Sequence, residues 1–180
     1  MRSAQAIDEH FDRSHAISWM TAVDAYEGRM KDIIHALKYD RRRSISPRLS
    51  ALMRERGAAL LEDADCVIPV PLHRRREYHR GFNQAHDLAR HLGPPVLSVL
   101  ARVKHTRSQI DLPKHERHIN VADAFSLQPS AVGQLPTVVV LIDDVSTTGA
   151  TLESCARVLR AAGVQEVRAL TAARVVNARR

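Results

Sequence analysis

The 180-residue sequence predicts one α/β domain in which a parallel sheet lies between two layers of helices. Two observations predict this three-layer fold. Short runs rich in valine and isoleucine alternate with segments of helical periodicity, as in a parallel sheet. The clearest run, residues 138–142, ends on two aspartates and precedes a glycine and a helical pattern. We divide the chain into an N-terminal arm and helix, residues 1–45, and an α/β core, residues 46–180.

The N-terminal quarter of the chain predicts an arm followed by two helices. Residues 1–24 show no strong period and are expected to form a loosely attached arm. From Met30 to Leu37 the apolar residues recur at the spacing of an amphipathic helix. Ser46 directly before Pro47 is expected to cap a second helix.

The middle of the chain predicts a strand, a basic loop and a helix. Residues 65–70 form a short apolar run typical of a buried strand, and Pro71 must end it because proline cannot donate to a ladder. The basic sequence HRRREYHRG follows as a loop, and residues 82–92 have a helical period. Residues 96–99 are expected to form a second strand, and residues 104–120 a long mobile loop.

The C-terminal third predicts the unit that should carry the chemistry. Residues 138–142 form the clearest strand, residues 152–162 a helix, and residues 167–172 the next strand. This order favours a parallel arrangement of the two strands.

The charge of the chain indicates an anionic ligand, and its cysteine content indicates the cellular compartment. The formal net charge is +7, which attracts phosphates, nucleic acid or acidic lipid without choosing among them. Cys66 and Cys155 stand too far apart for a metal or redox motif, so a reducing, cytoplasmic compartment is expected. The sequence shows no membrane-spanning or signal segment.

The sequence STTGAT, shortly after the strand at residues 138–142, indicates a phosphate-binding loop. In parallel sheets, ligands bind at the carboxyl ends of the strands, where helix N-termini offer free N–H groups. Gly149 permits a backbone conformation that side chains disfavour, and the hydroxyls of Ser146, Thr147, Thr148 and Thr151 can surround one phosphate.

Asp143 and Asp144 would repel a phosphate and suit another part of the ligand. Carboxylates accept hydrogen bonds from the two vicinal hydroxyls of a ribose, so the motif matches a ribose 5-phosphate. The pair could also hold magnesium through water, although the sequence predicts no direct metal ligand. A capping aspartate in a routine turn is the structural alternative. The chain contains neither G-x-x-x-x-G-K-[ST] nor G-x-G-x-x-G, so two other phosphate-binding motifs are excluded.

The motif LIDDVSTTGATL resembles the phosphoribosyl pyrophosphate (PRPP) signature of type I phosphoribosyltransferases. The sequences PVPLHRRREYHRGFNQAHDLA, RVKHTRSQIDL and ERHINVADAF precede it in an order similar to the ComF family of competence proteins. The resemblance covers about residues 26–174. It implies the type I phosphoribosyltransferase fold, with residues 1–45 as a small hood. The four-cysteine zinc ribbon with which many relatives begin does not carry over to this chain.

The resemblance assigns roles by motif position. It implies that PRPP, as its magnesium complex, contacts Asp143, Asp144, Val145, Ser146, Thr147, Thr148, Gly149, Ala150 and Thr151. It implies a pyrophosphate loop made of Pro71, Leu72, His73, Arg74, Arg75, Arg76 and Arg80. Lys104 and Arg107, in a loop expected to close over the ligand, are the implied leaving-group contacts and, with Asp143 and Asp144, the implied catalytic residues. Lys38, Tyr39 and residues 41–43 rim the site or form a solvated helix end.

Two functions remain open from the sequence. One is transfer of the phosphoribosyl group to a nucleobase or amine with release of pyrophosphate. The other, implied by the ComF resemblance, is a non-catalytic role in DNA uptake with single-stranded DNA and DNA-uptake proteins as partners, or as a regulatory nucleotide-binding module. Glutamine-dependent nitrogen transfer is disfavoured, because Met1 is followed by Arg2 and offers no N-terminal cysteine nucleophile. The acceptor and the oligomeric state, including a homodimer, are not decided by the sequence.

Overall fold

The computed structural model describes residues 6–40, 42–103 and 124–176. Within these residues five strands form the central sheet and two more form a small second sheet. The strands are β1 (Ile7–His10), β2 (Trp19–Ala25), β3 (Cys66–Pro69), β4 (Leu100–Arg102), β5 (Phe125–Leu127), β6 (Val138–Ser146) and β7 (Glu166–Arg174).

The central sheet has the strand order β1-β2-β7-β6-β3. Strands β2, β7, β6 and β3 are parallel to their neighbours, and only the edge strand β1 pairs antiparallel, with β2. The predicted α/β class is therefore confirmed, with a mostly parallel sheet. The antiparallel pair of β4 and β5 lies outside this sheet.

Helices cover both faces of the central sheet, as the three-layer prediction requires. The helices among the described residues are α1 (Gly28–Tyr39), α2 (Ser46–Arg56), α3 (Ala58–Leu61), α4 (Arg74–Arg80), α5 (Gln84–Ala89) and α6 (Ala150–Ala161). One apolar core joins β6 to α6 and to the β4–β5 pair, and the other joins β6 to α1, α2, α3 and α5. No helix among the described residues has the length and apolar composition needed to cross a membrane.

The expected loose arm at residues 1–24 is wrong where the structure describes it. Residues 7–25 contribute β1 and β2, and β2 pairs with β7 in the middle of the sheet. Met20 and Val23 of β2 are almost fully buried, one in each apolar core. Alternation along a strand sends neighbouring side chains to opposite faces, so this segment helps to join the two layers. The role of residues 1–45 as a hood stays a prediction.

Three local predictions need correction. The basic segment HRRREYHRG is the helix α4 rather than a loop, and its N-cap is His73. Ser46 is the first residue of α2 and not its cap, because Ile45 holds the cap position and the Ser46 side chain is buried. Residues 96–99 form no strand of their own. Val96 instead makes a single parallel bridge to Val67 of β3.

Strand β6 is longer than predicted and carries the acidic pair. The strand runs to Ser146, so Asp143 and Asp144 lie within it. Val139 and Leu141 belong to the core shared with α6, whereas the alternate residues Val140 and Ile142 belong to the other core. This alternation decides which way the two aspartates face.

Candidate functional site

A cavity of about 250 Å³ opens at the carboxyl ends of β3 and β6. This is where parallel sheets usually bind ligands. The cavity is lined by Tyr26, Lys38, Tyr39, Val70, Pro71, Leu72, Arg76, Arg80, Asn83, Gln84, Ala85, Arg102, Asp143, Asp144, Val145, Thr147 and Thr151. The acidic motif, part of the basic segment and the end of α1 thus converge on one opening.

Asp143 and Asp144 both line the cavity but face different environments. Because they are adjacent on a strand, their side chains leave β6 on opposite faces. Asp143 lies on the α6 side, where its charge acts on Cys155 and Arg102. Asp144 lies on the α1 side and is almost fully buried.

Lys38 at the end of α1 pairs with Asp144. The distance from Lys38 Nζ to Asp144 Oδ1 is 2.8 Å, and both side chains are largely shielded from water. Burial opposes the charge of the ammonium, but the charge and hydrogen bond of Asp144 outweigh it and raise the pKa of Lys38. Lys38 therefore neutralises one of the two carboxylates in the cavity, which lowers the repulsion that an anionic ligand would meet.

The Asp143 carboxylate accepts the backbone N–H of Asp144 at 2.8 Å. Burial, followed by the negative charge of Asp144, raises the pKa of Asp143 to about 7. Burial and the charge of Asp143 also raise the pKa of the Cys155 thiol well above its ordinary value. Near neutral pH, Asp143 can therefore exchange a proton, while Cys155 stays a neutral thiol.

The loop after β6 forms the floor of the cavity on the α6 side. Gly149 has a φ of +78°, a left-handed conformation that favours glycine, and it is the N-cap residue of α6. Thr148 Oγ1 accepts the backbone N–H of Ala150 at 3.4 Å. Thr147 and Thr151 line the cavity together with Val145, whereas Ser146, Thr148, Gly149 and Ala150 are not among its lining residues.

The basic segment contributes only part of its predicted set to the cavity. Pro71, Leu72, Arg76 and Arg80 line it, and the structure places His73, Arg74 and Arg75 away from it. Arg74 and Arg75 are exposed on the outer face of α4. His73 Nδ1 accepts the backbone N–H of Arg75 at 3.3 Å, which starts the helix. Helix α4 thus places Arg76 and Arg80 at the cavity and Arg74 and Arg75 on its outer face.

The end of α1 lies at the site, but the basic residues after it diverge. Lys38 and Tyr39 line the cavity, and the Arg80 guanidinium lies 5.4 Å from the centroid of the Tyr39 ring. Arg43 instead binds the buried carboxylate of Asp87 through two nitrogens, at 2.6 and 2.7 Å. Arg43 therefore anchors the turn before α2 to α5 and does not line the cavity.

Sequence reasoning missed four polar cavity residues. Tyr26 follows β2, Asn83 and Gln84 begin α5, and Arg102 ends β4. Burial and the nearby charge of Arg76 lower the pKa of Arg102, and its guanidinium lies 5.2 Å from the centroid of the Phe125 ring. Asn83, Gln84 and Arg102 lie inside the motifs PVPLHRRREYHRGFNQAHDLA and RVKHTRSQIDL, and this was the signal that the sequence offered for them. Nothing in the sequence near Tyr26 pointed to a site.

Several predicted residues lie outside the described residues. These are Lys104 and Arg107, with the neighbouring motif positions Gln109, Arg117 and Asn120, and also Arg41. Among the residues that the structure describes, no three His, Cys, Asp or Glu side chains form a metal-binding group. A divalent cation would therefore depend on the two aspartates and on oxygens of the ligand.

Comparison with known proteins defines the class to which this fold and site belong. Residues 79–179, more than half of the chain, match the phosphoribosyl transferase domain family. A solved structure described as the allosteric regulatory enzyme of purine biosynthesis aligns with 70% of this chain and 25% of that chain. Its TM-score is 0.41 and its sequence identity 22%. The chain is a phosphoribosyltransferase-fold protein.

The curated relatives narrow the assignment within this class. The chain is 32% identical over 158 residues to the DNA utilization protein YhgH of Shigella flexneri, covering 82% of this chain and 68% of the relative. It is 40% identical over 108 residues to competence protein F of Haemophilus influenzae, and 41% identical over 93 residues to competence protein ComFC of Bacillus subtilis. These alignments cover 57% and 52% of this chain and only 47% and 37% of the two relatives. The chain belongs to the ComF family.

Proposed function

We propose that the chain binds PRPP with magnesium and transfers the phosphoribosyl group to a nucleobase or amine, releasing pyrophosphate. The observation that carries this proposal is the convergence of three parts on one cavity. These parts are the acidic pair of β6, the hydroxyl-rich loop before α6, and the cations Arg76 and Arg80. An acidic pair beside a phosphate loop suits a phosphorylated ribose, and the additional cations suit a second phosphate-bearing group.

The loop at residues 147–151 would hold the 5-phosphate. Thr147 and Thr151 offer hydroxyl donors, and α6 is a helix of 12 residues whose free N–H groups attract an anion. Gly149 lets the backbone turn sharply enough to present those groups.

The acidic pair would bind the ribose hydroxyls from β6. Asp143 and Asp144 both reach the cavity, and Lys38 compensates the charge of Asp144. The donor set also fits magnesium, since this ion is usually bound by one or two carboxylates together with substrate phosphates and water. Asp143 and Asp144 would hold the ion through water. The ion, when bound, would neutralise charge on the diphosphate.

The cations of the cavity would stabilise the leaving group. As the bond from ribose C1 to the diphosphate breaks, negative charge grows on the diphosphate and positive charge grows on the ribose. Arg76 and Arg80 would bind the developing anion. The acceptor nitrogen forms the new bond to C1, and its proton passes to solvent. We propose that Lys104 and Arg107 add leaving-group contacts.

Calorimetric titration with PRPP and magnesium tests this proposal. We expect saturable binding by the native chain and none by the Asp143→Asn/Asp144→Asn double variant, provided that its thermal melt remains cooperative. The matched control is Asp32→Asn/Glu55→Gln, which removes two exposed carboxylates outside the cavity. Undiminished PRPP affinity in the folded double variant would refute the ribose role of the pair.

A second candidate function is binding of single-stranded DNA in DNA uptake, together with DNA-uptake proteins. The names of the relatives, competence protein and DNA utilization protein, point to this process. The specific observation is the outer face of α4. There, Tyr78 is 86% exposed beside the exposed cations Arg74 and Arg75. Aromatic rings for stacking beside backbone-binding cations are typical of single-strand binding surfaces. We place either function in the reducing cytoplasm, in keeping with the two free cysteines.

Salt dependence separates the two functions. We expect the affinity for a single-stranded oligonucleotide, followed by fluorescence anisotropy, to fall steeply between 50 and 200 mM salt (roughly 10-fold or more). PRPP affinity should fall less over the same range. Tyr78→Ala/Arg75→Ala should weaken the oligonucleotide and spare PRPP, because neither residue lines the cavity. Equal oligonucleotide binding by this variant would remove α4 as the DNA surface.

A further inference from the structure

The cavity has two sides, separated by the end of β6. Asp143 and Thr151 lie on the α6 side, where the proposed 5-phosphate binds. Asp144 lies on the other side with Lys38 from α1. Arg80 belongs to this second side, since its charge acts on Lys38 and its guanidinium packs against Tyr39.

Gln84, the first residue of α5, completes this second side. It lines the cavity although the residue is only 1% exposed. Arg80 Nη1 donates to Gln84 Oε1 at 3.1 Å. A guanidinium has only donors, so the amide must present its oxygen to Arg80 and turn its NH2 group the other way. The orientation of the amide is therefore assigned by its partner.

The NH2 group of Gln84 lacks a partner of its own. Gln84 Nε2 is buried and finds no hydrogen-bond acceptor among the residues that the structure describes. A buried donor without an acceptor is costly, and native proteins rarely retain one without a reason. An acceptor supplied by a ligand in the cavity removes that cost. Because Lys38 balances the charge of Asp144 and Arg80 adds a further positive charge on this side of the cavity, an anionic oxygen is the acceptor that this side suits best.

We infer that Gln84 is a ligand-binding residue whose Nε2 donates a hydrogen bond to a diphosphate oxygen, while Arg80 fixes the orientation of the amide. The inference rests on the proposed function and deepens it by naming the ligand group that binds on this side of the cavity. The 5-phosphate is held on the opposite face of β6 and makes no contact with Gln84. Gln84 thus distinguishes a diphosphate-bearing ribose from a ribose carrying the 5-phosphate alone.

Two substitutions of Gln84 test the inference by calorimetry. Gln84→Glu keeps the shape and retains a partner for Arg80, but replaces the donor with an anionic oxygen that repels phosphate. Gln84→Met removes the donor without adding charge, and carries the test if the first variant fails to fold. Gln134→Glu is the matched control, because Gln134 is exposed and lies outside the cavity. The probes are PRPP with magnesium, inorganic pyrophosphate with magnesium, and ribose 5-phosphate.

We expect Gln84→Glu to weaken PRPP and pyrophosphate by at least about 10-fold and Gln84→Met by about 5-fold or more, as loss of one hydrogen bond to a charged group implies. Ribose 5-phosphate should bind all variants within about 3-fold of the native chain. Equal PRPP and pyrophosphate affinities in both variants, or an equal loss for ribose 5-phosphate, would overturn the inference while leaving the proposed function intact. A native chain that binds none of the three probes would refute the proposed function and the inference together.

Discussion

At the scale of single residues, the structure separates two aspartates that the sequence presents as a pair. Asp144 is held by the Lys38 ammonium at 2.8 Å. Asp143 is buried next to that same carboxylate, and its pKa is raised to about 7. Identical side chains one position apart thus lie in different environments, because the strand sends them to opposite faces of the sheet.

The raised pKa of Asp143 predicts a pH-dependent stability. The folded state keeps the proton up to about pH 7, whereas the unfolded chain loses it near the ordinary value of 3.8. The stability that the proton contributes is full below pH 3.8 and is lost as the pH rises through 7. Asp143→Asn does not ionise. The melting temperature of this variant, relative to that of the native chain, should therefore rise by about 5 °C between pH 5 and pH 8.

Differential scanning calorimetry at several pH values measures this gap, with Asp32→Asn as control. Asp32 is exposed, so its substitution should leave the pH profile of the native chain unchanged. A constant gap between Asp143→Asn and the native chain from pH 5 to pH 8 would contradict the environment described for Asp143.

Residue patterns allowed the acidic pair and the threonine loop to be named from the sequence, but not the residues that complete the cavity. Asp143, Thr147 and Thr151 belong to one continuous motif, and a continuous motif can be recognised from the sequence alone. Gln84 and Arg102 lie inside recognisable motifs, but they reach the cavity from separate elements, so their place in the site depends on tertiary packing. The unpartnered Gln84 amide is visible only once the fold places Arg80 beside it.

At the scale of elements, the unit of β6, its following loop and α6 carries the phosphate site. The strand ends at Ser146 and the helix begins at Ala150, so three residues make the turn. Gly149 adopts the left-handed conformation in that turn, and no atom lies within 4 Å of the position that a Cβ would take. The need for glycine here is therefore conformational rather than steric.

Gly149→Ala should lower both stability and ligand affinity. An alanine in the left-handed region costs about 1 kcal/mol, and a loop that shifts to relieve the strain misplaces its phosphate donors. We expect PRPP affinity to fall about 10-fold, a change of 1.4 kcal/mol. Gly163→Ala is the control, because Gly163 also has a positive φ and open space but lies at the other end of α6. It should lose stability and keep PRPP affinity, and an equal affinity loss would remove the special role of Gly149.

The elements with strong apolar periods were predictable, and those with weak periods were not. The helices α1 and α6 and the strand β6 form where the apolar spacing predicted them, although their bounds differ from the predicted ones by a few residues. Helix α4 escaped prediction because its seven residues include no buried side chain and thus no apolar period. It is stabilised at its ends instead, by the His73 cap and by Gly81.

At the scale of the whole molecule, the N-terminal segment is part of the central sheet and not an appendage. Strand β2 lies between β1 and β7, and its residues Thr21, Ala22 and Val23 are at most 1% exposed. The sequence concealed this strand because a short segment buried on both faces lacks the alternation of a half-buried strand. The matched family region begins at residue 79, yet Lys38 and Tyr39 come from the part before it.

Val23→Asp tests whether this segment belongs to the folded unit. An unpaired carboxylate in the apolar core between the sheet and the helices α1, α2, α3 and α5 should cost several kcal/mol, on the order of 4, and abolish the cooperative melt at ordinary temperature. Val132→Asp makes the same substitution at a valine that is 68% exposed, and should change stability by less than about 0.5 kcal/mol. Chemical denaturation followed by circular dichroism measures both. Equal stability of the two variants would show that residues 7–25 are dispensable, as a loose arm would be.

The most direct test of the central claim is a crystal structure of the native chain with PRPP and magnesium. The account predicts one ligand in the cavity, with its 5-phosphate against residues 147–151, its ribose hydroxyls at Asp143 and Asp144, and its diphosphate at Arg76, Arg80 and Gln84. A ligand bound elsewhere on the chain would contradict it, as would a reversed ligand with its diphosphate on the α6 side.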